Sequence, residues 1–535
     1  MQDETTAEAG PLAGRREWTG LAVLALPTLL IALDIGVLFL AVPHLSTGLG
    51  ASSVEQLWIA DIYGFLLAGF LITMGTLGDR IGRRRLLLIG AAAFGLASVL
   101  AAYSTSPGML IAARAILGVA GATLMPSTLA LLSNMFTNAR QRGVAISLWA
   151  ACQMGGAALG PVIGGLLLEH FWWGSVFLLG VPVMVLLLVL GPILLPEYRN
   201  QTPGKIDLVS VVMSLAAILP VIYGIKELAV STVSTPIVPI LAIVVGLAIG
   251  VAFVRRQLHL EHPLLDLHLF AEGTFSASLT AMLLAGGAQA GTFLLISQYV
   301  QSDLGYSPGQ AGLWLAPQGL TMAVSAALAA PVVARKLGLS LAITGGLVLG
   351  AVGYVMIGLV PSVDGLPLIV IGGVVISIGL GQLFALGAGL VMGAVPPERA
   401  GSAASMSETS GNFGGTLGIA VMGTIGAAVY RAQVADSIPA DVPADAAKAA
   451  HETLAGATAA AANLPAGPAA ELLGAARDAF TNGLNTVGLI GAVLLLCLAV
   501  MIWLLFRKQR NQEGNPGGAE PAAETDVAQE VRTDH

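Results

Sequence analysis

Fourteen long apolar runs constrain this 535-residue chain more than any other feature. A helix needs about 20 mostly apolar residues to cross a bilayer. Apolar residues make up 56% of the chain and charged residues only 10%, which is too few for the surface of a soluble fold of this size. The sequence therefore predicts an all-α integral membrane protein and excludes a disordered chain. The runs cover 18–42, 57–77, 85–103, 108–132, 143–167, 173–195, 206–226, 235–254, 274–300, 309–333, 339–360, 366–392, 402–430 and 482–506.

The positions of Lys and Arg predict the orientation. If the fourteen runs alternate in direction and the N-terminus is inside, 19 of the 24 Lys and Arg residues fall on the inner side. Four fall on the outer side, and Arg114 lies within a span. Cytoplasmic loops carry such an excess of basic residues. Both termini are therefore expected in the cytoplasm.

Runs 5 and 13 share a similar glycine pattern. Run 5 contains Gly155-Gly156 and Leu159-Gly160, and run 13 contains Gly414-Gly415 and Leu417-Gly418. Runs 1–6 thus match runs 9–14, and runs 7 and 8 are inserted between them. Repeated halves are typical of secondary transporters, whereas a channel more often shows one short pore repeat per subunit. The predicted parts are a tail at 1–17, a six-helix bundle at 18–200, two inserted helices at 201–260, a second six-helix bundle at 261–506 and a tail at 507–535.

The second half contains a long segment outside the membrane, at 431–481. It is rich in Ala and favours helix around 443–462 and 468–480. We expect a helical hairpin packed on the outer face. A flexible Ala/Pro loop is the alternative.

Four ionisable residues lie within the runs, namely Asp34, Asp61, Arg114 and Glu408. Such residues are costly in a membrane, so each is a functional hypothesis by default. At 1.5 Å per residue, Asp34 and Arg114 lie about 13 and 11 Å from the same face. Their opposite charges at similar depth suggest a pair. The alternatives are a salt bridge without a role in transport and, for Asp61 and Glu408, wet positions near the membrane surfaces.

Two glycine-rich motifs stand out. The first joins runs 2 and 3, where Gly permits a tight turn and an acid is suited to a helix N-terminus. The second lies in run 5, where small residues let helices pack closely and a proline adds a kink. The first motif comprises Gly75, Gly78, Asp79, Arg80, Gly82 and Arg83, and the second comprises Gly156, Gly160, Pro161, Gly164 and Gly165.

These residues resemble a known family. The Gly75–Arg84 stretch is similar to the loop motif of the major facilitator superfamily, and Gly155–Gly165 is similar to the motif of its drug–proton antiporters. Arg114 matches their span 4 motif. The surroundings of Asp34 and Asp61 resemble the first two spans of fourteen-span multidrug exporters of the QacA and SmvA type. The likeness covers nearly the whole chain.

The resemblance implies a major facilitator fold in a bacterial inner membrane. It implies export of lipophilic cations, such as quaternary ammonium compounds and dyes, in exchange for protons. Proton coupling is expected of Asp34, Arg114 and Glu408, and conformational switching of the Asp79 loop. One departure is the stretch Ala311–Val324, which has no acid where some relatives carry one; Met322 stands near that place. Asn412 also replaces another acid, which puts divalent substrates in doubt.

Substrate contact is predicted for acids and for neighbouring aromatic or sulfur-bearing side chains, because a cation over an aromatic face gains about 0.5–2 kcal/mol. Packing or contact with lipid is the alternative for each of the neutral residues. The predicted set is Asp34, Asp61, Tyr63, Trp149, Met154 and Glu408.

Other functions have less support. An exporter of a neutral or anionic natural product fits the same fold, although three intramembrane acids against one Arg disfavour an anion. Cys152 and Cys497 lie in apolar runs without CxxC spacing, and the seven His residues show no metal-binding spacing. No enzyme, metal site, nucleic-acid partner or cofactor other than the proton is expected. A monomer in the bilayer is expected.

Overall fold

The computed structural model describes residues 12–199, 207–230, 236–260, 263, 267–393, 400–435, 437–438 and 442–513. Most of the two predicted tails therefore lies outside the described residues. Within the described part the chain is helical throughout and contains no strand. The helices are α1 Arg15–Leu49, α2 Ser53–Ile81, α3 Arg83–Ala102, α4 Pro107–Met135, α5 Ala139–His170, α6 Ser175–Leu194, α7 Leu208–Val230, α8 Ile237–His259, α9 Gly273–Asp303, α10 Pro308–Leu337, α11 Leu339–Ile357, α12 Leu366–Gly393, α13 Ala400–Ala435, α14 Ala444–Glu452, α15 Leu454–Ala461 and α16 Ala466–Glu513.

Thirteen of these described helices contain a stretch long and apolar enough to cross a membrane. The remaining predicted run, run 5 at 143–167, coincides with α5, where Leu159–His170 forms a shorter apolar stretch. Serine side chains cap the N-termini of several helices: Ser52 caps α2, Ser106 caps α4 and Ser307 caps α10. Each accepts a hydrogen bond from a backbone N–H that has no partner within the first helical turn.

The long helices form two six-helix bundles, α1–α6 and α9–α13 with α16, and an inserted pair, α7 and α8. We call the side with the α2–α3 loop, which carries Arg83, Arg84 and Arg85, the arginine face. The opposite side, where α14 and α15 lie, is the short-helix face. The bundles meet along two seams, one between α5 and α10 and one between α2 and α13.

The two bundles repeat the same glycine-mediated packing. In the first bundle, Gly160 of α5 lies so close to α1 that a Cβ there would be 2.9 Å from the Cα of Gly36. In the second, Gly418 of α13 lies against α9, and a Cβ there would be 1.9 Å from the backbone oxygen of Gly287. Gly156 and Gly414 make equivalent close approaches one turn earlier. Membrane helices pack at this distance only where the side chains are small.

The inserted pair covers one of the two seams. α7 packs against both α2 and α13, and α8 packs mainly against α7. At the start of α7, Asp207 accepts hydrogen bonds from Ser210 and lies 3.0 Å from Nη2 of Arg256 on α8. Burial alone would raise the pKa of Asp207, but the Ser210 hydrogen bonds and Arg256 outweigh it and lower that pKa. This clamp therefore persists at neutral pH and weakens only as the pH falls through the lowered pKa of Asp207.

The predicted outer hairpin differs from the structure in its second arm. The first predicted stretch, 443–462, forms the two short helices α14 and α15. The second, 468–480, is not a separate arm, because α16 begins at Ala466 and continues without a break into the last membrane span. The reason is that Pro468 lies in the first turn of α16, where proline is tolerated, and that no further proline interrupts the helix before its end.

Candidate functional site

A buried ion pair joins α1 to α4. Nη1 of Arg114 lies 2.7 Å from Oδ2 of Asp34, and the side chains are 1% and 14% exposed. Nε of Arg114 also donates to the backbone oxygen of Ile59 on α2, at 3.2 Å. The predicted pairing of the two charges is thus present, and it connects three helices of the first bundle.

Tyr63 of α2 lies against the same pair, and Asp61 is buried on the same helix. The guanidinium of Arg114 lies over the ring of Tyr63, 4.6 Å from its centroid. Asp61 is completely buried, so the alternative of a wet position at the membrane surface does not hold. A cation over a ring that is removed from water is stabilised more strongly than one at an exposed site.

A central cavity of about 370 Å³ lies between the two bundles. Helices α1, α4 and α5 contribute one wall, and α9 and α10 contribute the other. Its lining is mostly apolar, with aromatic and methionine side chains, and its polar groups are three glutamine amides. The residues that define it are Ile31, Ala32, Gly36, Phe39, Met125, Gln153, Pro161, Gly286, Gln289, Ala290, Phe293, Leu315, Gln318, Gly319, Met322 and Ala323.

The central cavity is closed towards the short-helix face. Phe39 of α1 and Phe293 of α9 meet edge to face, with ring centroids 5.3 Å apart. One turn beyond Phe293, Oγ of Ser297 donates to the backbone oxygen of Phe39 at 2.8 Å. These contacts join the two bundles directly.

The antiporter-type glycines reinforce this closure. Gly165 of α5 leaves no room for a side chain, since a Cβ there would be 2.3 Å from the backbone oxygen of Pro308 on α10. Gly312 of α10 lies equally close to Pro161. Gly164 packs against Val37 of α1. The motif therefore holds α5 against both bundles near the short-helix face.

The four predicted contact residues whose side chains the structure describes do not line the central cavity. Asp34 is on the side of α1 opposite Ala32 and Gly36, because two residues rotate a helix by about 200°. Trp149 is buried and donates from Nε1 to Oγ1 of Thr128 at 3.2 Å. Tyr63 is buried beneath Arg114, and Asp61 is buried elsewhere on α2. Their roles in binding stay predictions.

Two predicted residues have side chains outside the described set. Met154 lies on α5 and Glu408 on α13, and the structure describes only their helical backbone. The sequence reasoning missed the cavity amides Gln153, Gln289 and Gln318. An amide within an apolar run was the available signal, because polar groups inside a membrane need a partner or a cavity.

The segment Gly75–Arg83, which we call the Asp79 loop, has two carboxylates near it, those of Asp79 and Glu197. Oδ1 of Asp79 lies 2.7 Å from Nη2 of Arg83, and both residues are largely buried. Gly82 has a φ of 112°, a backbone conformation that side chains rarely adopt. A Cβ at Gly82 would also lie 2.5 Å from Oε1 of Glu197, which follows α6. Asp79 thus pairs within its own loop rather than at the N-terminus of a neighbouring helix.

Comparison with known proteins agrees with this architecture. The sequence profile described as "Major Facilitator Superfamily" matches residues 24–419. The chain is 43% identical to the multidrug efflux pump LfrA of Mycolicibacterium smegmatis, over 92% of this chain and 97% of LfrA. It is 34% identical to the methyl viologen resistance protein SmvA of Salmonella typhimurium, over 93% of this chain and 100% of SmvA.

Among solved structures, a bacterial homologue of the human lysosomal transporter Spinster superposes with a TM-score of 0.66. The match covers 93% of this chain and 98% of that one, at 15% identity, and supports the fold alone. Thirteen helices of membrane-spanning length in the described part of the chain, two glycine motifs and the relatives place the molecule in a bacterial inner membrane as a transporter rather than an enzyme. The chain belongs to the Major Facilitator Superfamily, among its drug efflux transporters of the QacA and SmvA type.

Proposed function

We propose that this transporter exports lipophilic organic cations in exchange for protons. The observation that carries the proposal is the Asp34–Arg114 pair, which is buried directly behind the wall of the central cavity. α1 presents Ala32 and Gly36 to the cavity and Asp34 to α4. A change in the charge of Asp34 therefore acts on the helix that forms the substrate wall.

The central cavity suits a large apolar cation. Phe39 and Phe293 offer aromatic faces, and each such contact with a cation contributes about 0.5–2 kcal/mol. Met125 and Met322 are adaptable and polarisable, which favours binding of differently shaped molecules. The oxygen atoms of Gln153, Gln289 and Gln318 are available as acceptors for ammonium or amino groups.

Asp34 is the proposed proton site. Its carboxylate and the guanidinium of Arg114 compensate each other's charge where they are buried, and a proton bound to the carboxylate removes that compensation. Arg114 joins α4 to α1 through Asp34 and to α2 through the backbone of Ile59. Release and uptake of that proton is the proposed coupling step.

The direction of transport follows from the two faces. The positive-inside rule favours a cytoplasmic position for the arginine face, because that face carries the basic residues where α2 meets α3. The cavity is closed at the opposite, short-helix face by Phe39, Phe293 and Ser297. Alternating access then requires these contacts to separate when the cavity opens outwards.

Export of neutral compounds is the second candidate. No acid lines the central cavity within the described part of the chain, which favours an uncharged, apolar substrate. The two candidates differ in what determines affinity. A cation depends on charge and aromatic contact, whereas a neutral compound depends on apolar area.

Efflux assays in a strain without other pumps separate the candidates. The panel is ethidium, methyl viologen and an uncharged analogue of similar size. We expect ethidium to be exported most efficiently and methyl viologen, a dication, less well, because the cavity offers no described acid for a second charge. Equal export of the uncharged analogue would favour the second candidate, and better export of methyl viologen would contradict the predicted preference for monovalent cations.

The Asp79 loop is proposed to control the conformational change. We expect Asp79→Asn to slow export several-fold without changing which compounds are exported, because the pair with Arg83 is lost far from the cavity. Initial rates of efflux across the panel measure this. Arg85→Gln is the matched control, since Arg85 is in the same loop and its side chain is 69% exposed. A changed order of substrates in Asp79→Asn would contradict a role limited to switching.

A further inference from the structure

A second cavity lies at the side of the molecule, between α2, α7, α9 and α13. Its volume is about 300 Å³, at the lower end of the range for small-molecule sites. We call it the lateral pocket. Its defining residues are Phe65, Ser214, Phe253, Phe270, Leu283 and Phe413. None of the residues predicted or proposed above to act in transport lines it.

The lateral pocket is bounded at both ends by closely packed side chains. Towards the short-helix face, Phe65, Ile222 and Ala420 form a buried apolar cluster that joins α2, α7 and α13. Towards the arginine face, Phe275 and Met406 belong to a second buried cluster. Along α13 the lining runs from Met406 to Phe413, a rise of about 10 Å. The pocket therefore fits a short elongated group in the arginine-face half of the membrane.

The chemistry of the pocket is almost wholly apolar. The described lining has four phenylalanines and no charged residue. The one unusual polar group is Ser410 of α13, which is 7% exposed and whose Oγ has no hydrogen-bond partner within the described structure. Oγ of Ser214, by contrast, donates to the backbone oxygen of Val211 on its own helix. An alkyl chain fits such a lining, and a charged or strongly polar group does not.

The lateral pocket and the central cavity share one wall. Leu283 and Leu284 of α9 line the lateral pocket, while Gly286 and Gln289, less than two turns further on, line the central cavity. The pocket also touches α2 and α13, which belong to different bundles and meet at this seam. A group held here is therefore next to the proposed binding site and in contact with both halves that move in alternating access.

We propose that the lateral pocket binds the alkyl chain of an amphiphilic cation that reaches the transporter from the membrane. The inference rests on the proposed function and adds a site for the tail of the substrate. The inserted helices α7 and α8 thereby gain a role, because Ser214, Leu215 and Phe253 close the pocket on the side away from the bundles. Compounds without a chain, such as ethidium, do not use this pocket.

Equilibrium binding of alkyltrimethylammonium ions to the full-length protein in nanodiscs tests the proposal. The series runs from hexyl to hexadecyl. Affinity in the wild type is expected to rise about fourfold for each added methylene until the pocket is full. Ser214→Phe fills the pocket from α7 and should lower affinity for the longest chains at least tenfold, with hexyl and ethidium unaffected. Phe253→Ala enlarges the pocket from α8 and should shift the best chain length upwards.

Val251→Phe is the matched control, because Val251 is on α8 and 55% exposed on the outer surface. Its chain-length profile should equal that of the wild type. If Ser214→Phe and Phe253→Ala also keep the wild-type profile while ethidium still binds, the lateral site is refuted and the proposed function stands. If chain-length dependence is present but no cation is moved against protons in proteoliposomes, the proposed function fails and the binding site stands.

A phospholipid chain is the other source of the same chemistry. Mass spectrometry of the purified protein measures retained phospholipid in the wild type and in Ser214→Phe. We expect the amounts to be equal. Loss of phospholipid in Ser214→Phe, together with equally slower export of all compounds whatever their chain length, would overturn the assignment to substrate.

Discussion

Asp34→Asn is expected to reduce proton-coupled export at least tenfold while the protein remains folded in the membrane. Asn has the same shape and keeps an oxygen for the hydrogen bond from Arg114, but it does not bind a proton at this position. The ion pair, at 2.7 Å, is the one described link between the charge of Arg114 and the cavity-lining helix α1. Efflux of ethidium from energised cells, normalised to the amount of transporter in the membrane, measures the loss.

Two further variants make this result specific. Asp445→Asn is the matched control, because Asp445 is exposed on α14, away from the ion pair, and full efflux is expected. Arg114→Ala should instead reduce the amount of folded protein, since it removes the bond to Ile59 as well as the ion pair and leaves a cavity where a large buried side chain was. Undiminished proton-coupled efflux by Asp34→Asn would mean that the pair is only structural, which was the alternative left open by the sequence.

Gly418→Val is expected to have the second large effect, an almost complete loss of folded transporter. A Cβ at Gly418 would lie 1.9 Å from the backbone oxygen of Gly287, and backbone atoms do not move away as a flexible side chain does. α13 and α9 would have to separate along the contact that organises the second bundle. Overpacking in a core typically costs about 1–3 kcal/mol, and a clash with backbone costs more.

Gly411→Val provides the matched control for this prediction. It is on the same helix, two turns earlier, and no atom lies within 4 Å of a Cβ built there. Size-exclusion profiles and thermal unfolding of the two purified variants give the comparison. A normal profile for Gly418→Val would show that the two helices are not held by this glycine contact.

Much of the fold was predictable because the membrane imposes simple rules. Runs of about 20 apolar residues mark spans. The helical segments of the structure coincide with the predicted ones, including α5 with its run of small residues. The sequence already showed that Gly414 and Gly418 occupy positions equivalent to Gly156 and Gly160. In the structure the first pair approaches α9 as closely as the second pair approaches α1.

The pairing of Asp34 with Arg114 was also predictable, since helical rise gives depth and few charges compete at one depth. The residues that line the central cavity could not be predicted from the sequence. The lining is assembled from five helices in the two halves of the chain, and only one face of each helix contributes. Tyr63 and Trp149 were expected at the substrate but are buried at helix contacts, with Tyr63 beneath Arg114. The depth of a residue in the membrane can be estimated from the sequence. The direction in which its side chain faces depends on how the helix is rotated, which is set by the helices packed against it.

The place of the inserted helices was likewise beyond the sequence. Hydropathy identifies α7 and α8 as spans but does not say which seam they cover. In the structure, Leu215 of α7 fits against Gly69 of α2, where a Cβ would lie 2.8 Å from Cδ2 of Leu215. The complementary shape of that contact selects the α2–α13 seam. The continuity of α16 was missed because no proline marks the junction between the stretch 468–480 and the last membrane span.

Substrate-driven proton movement in proteoliposomes tests the central claim most directly. Vesicles that contain the purified transporter and a pH-sensitive dye are prepared with an acidic lumen, and ethidium is then added outside. Proton-coupled exchange predicts that the lumen becomes more alkaline as ethidium accumulates inside, in the wild type and in Asp445→Asn but not in Asp34→Asn. Accumulation of ethidium without any change in lumenal pH, or an equal response in Asp34→Asn, would contradict it.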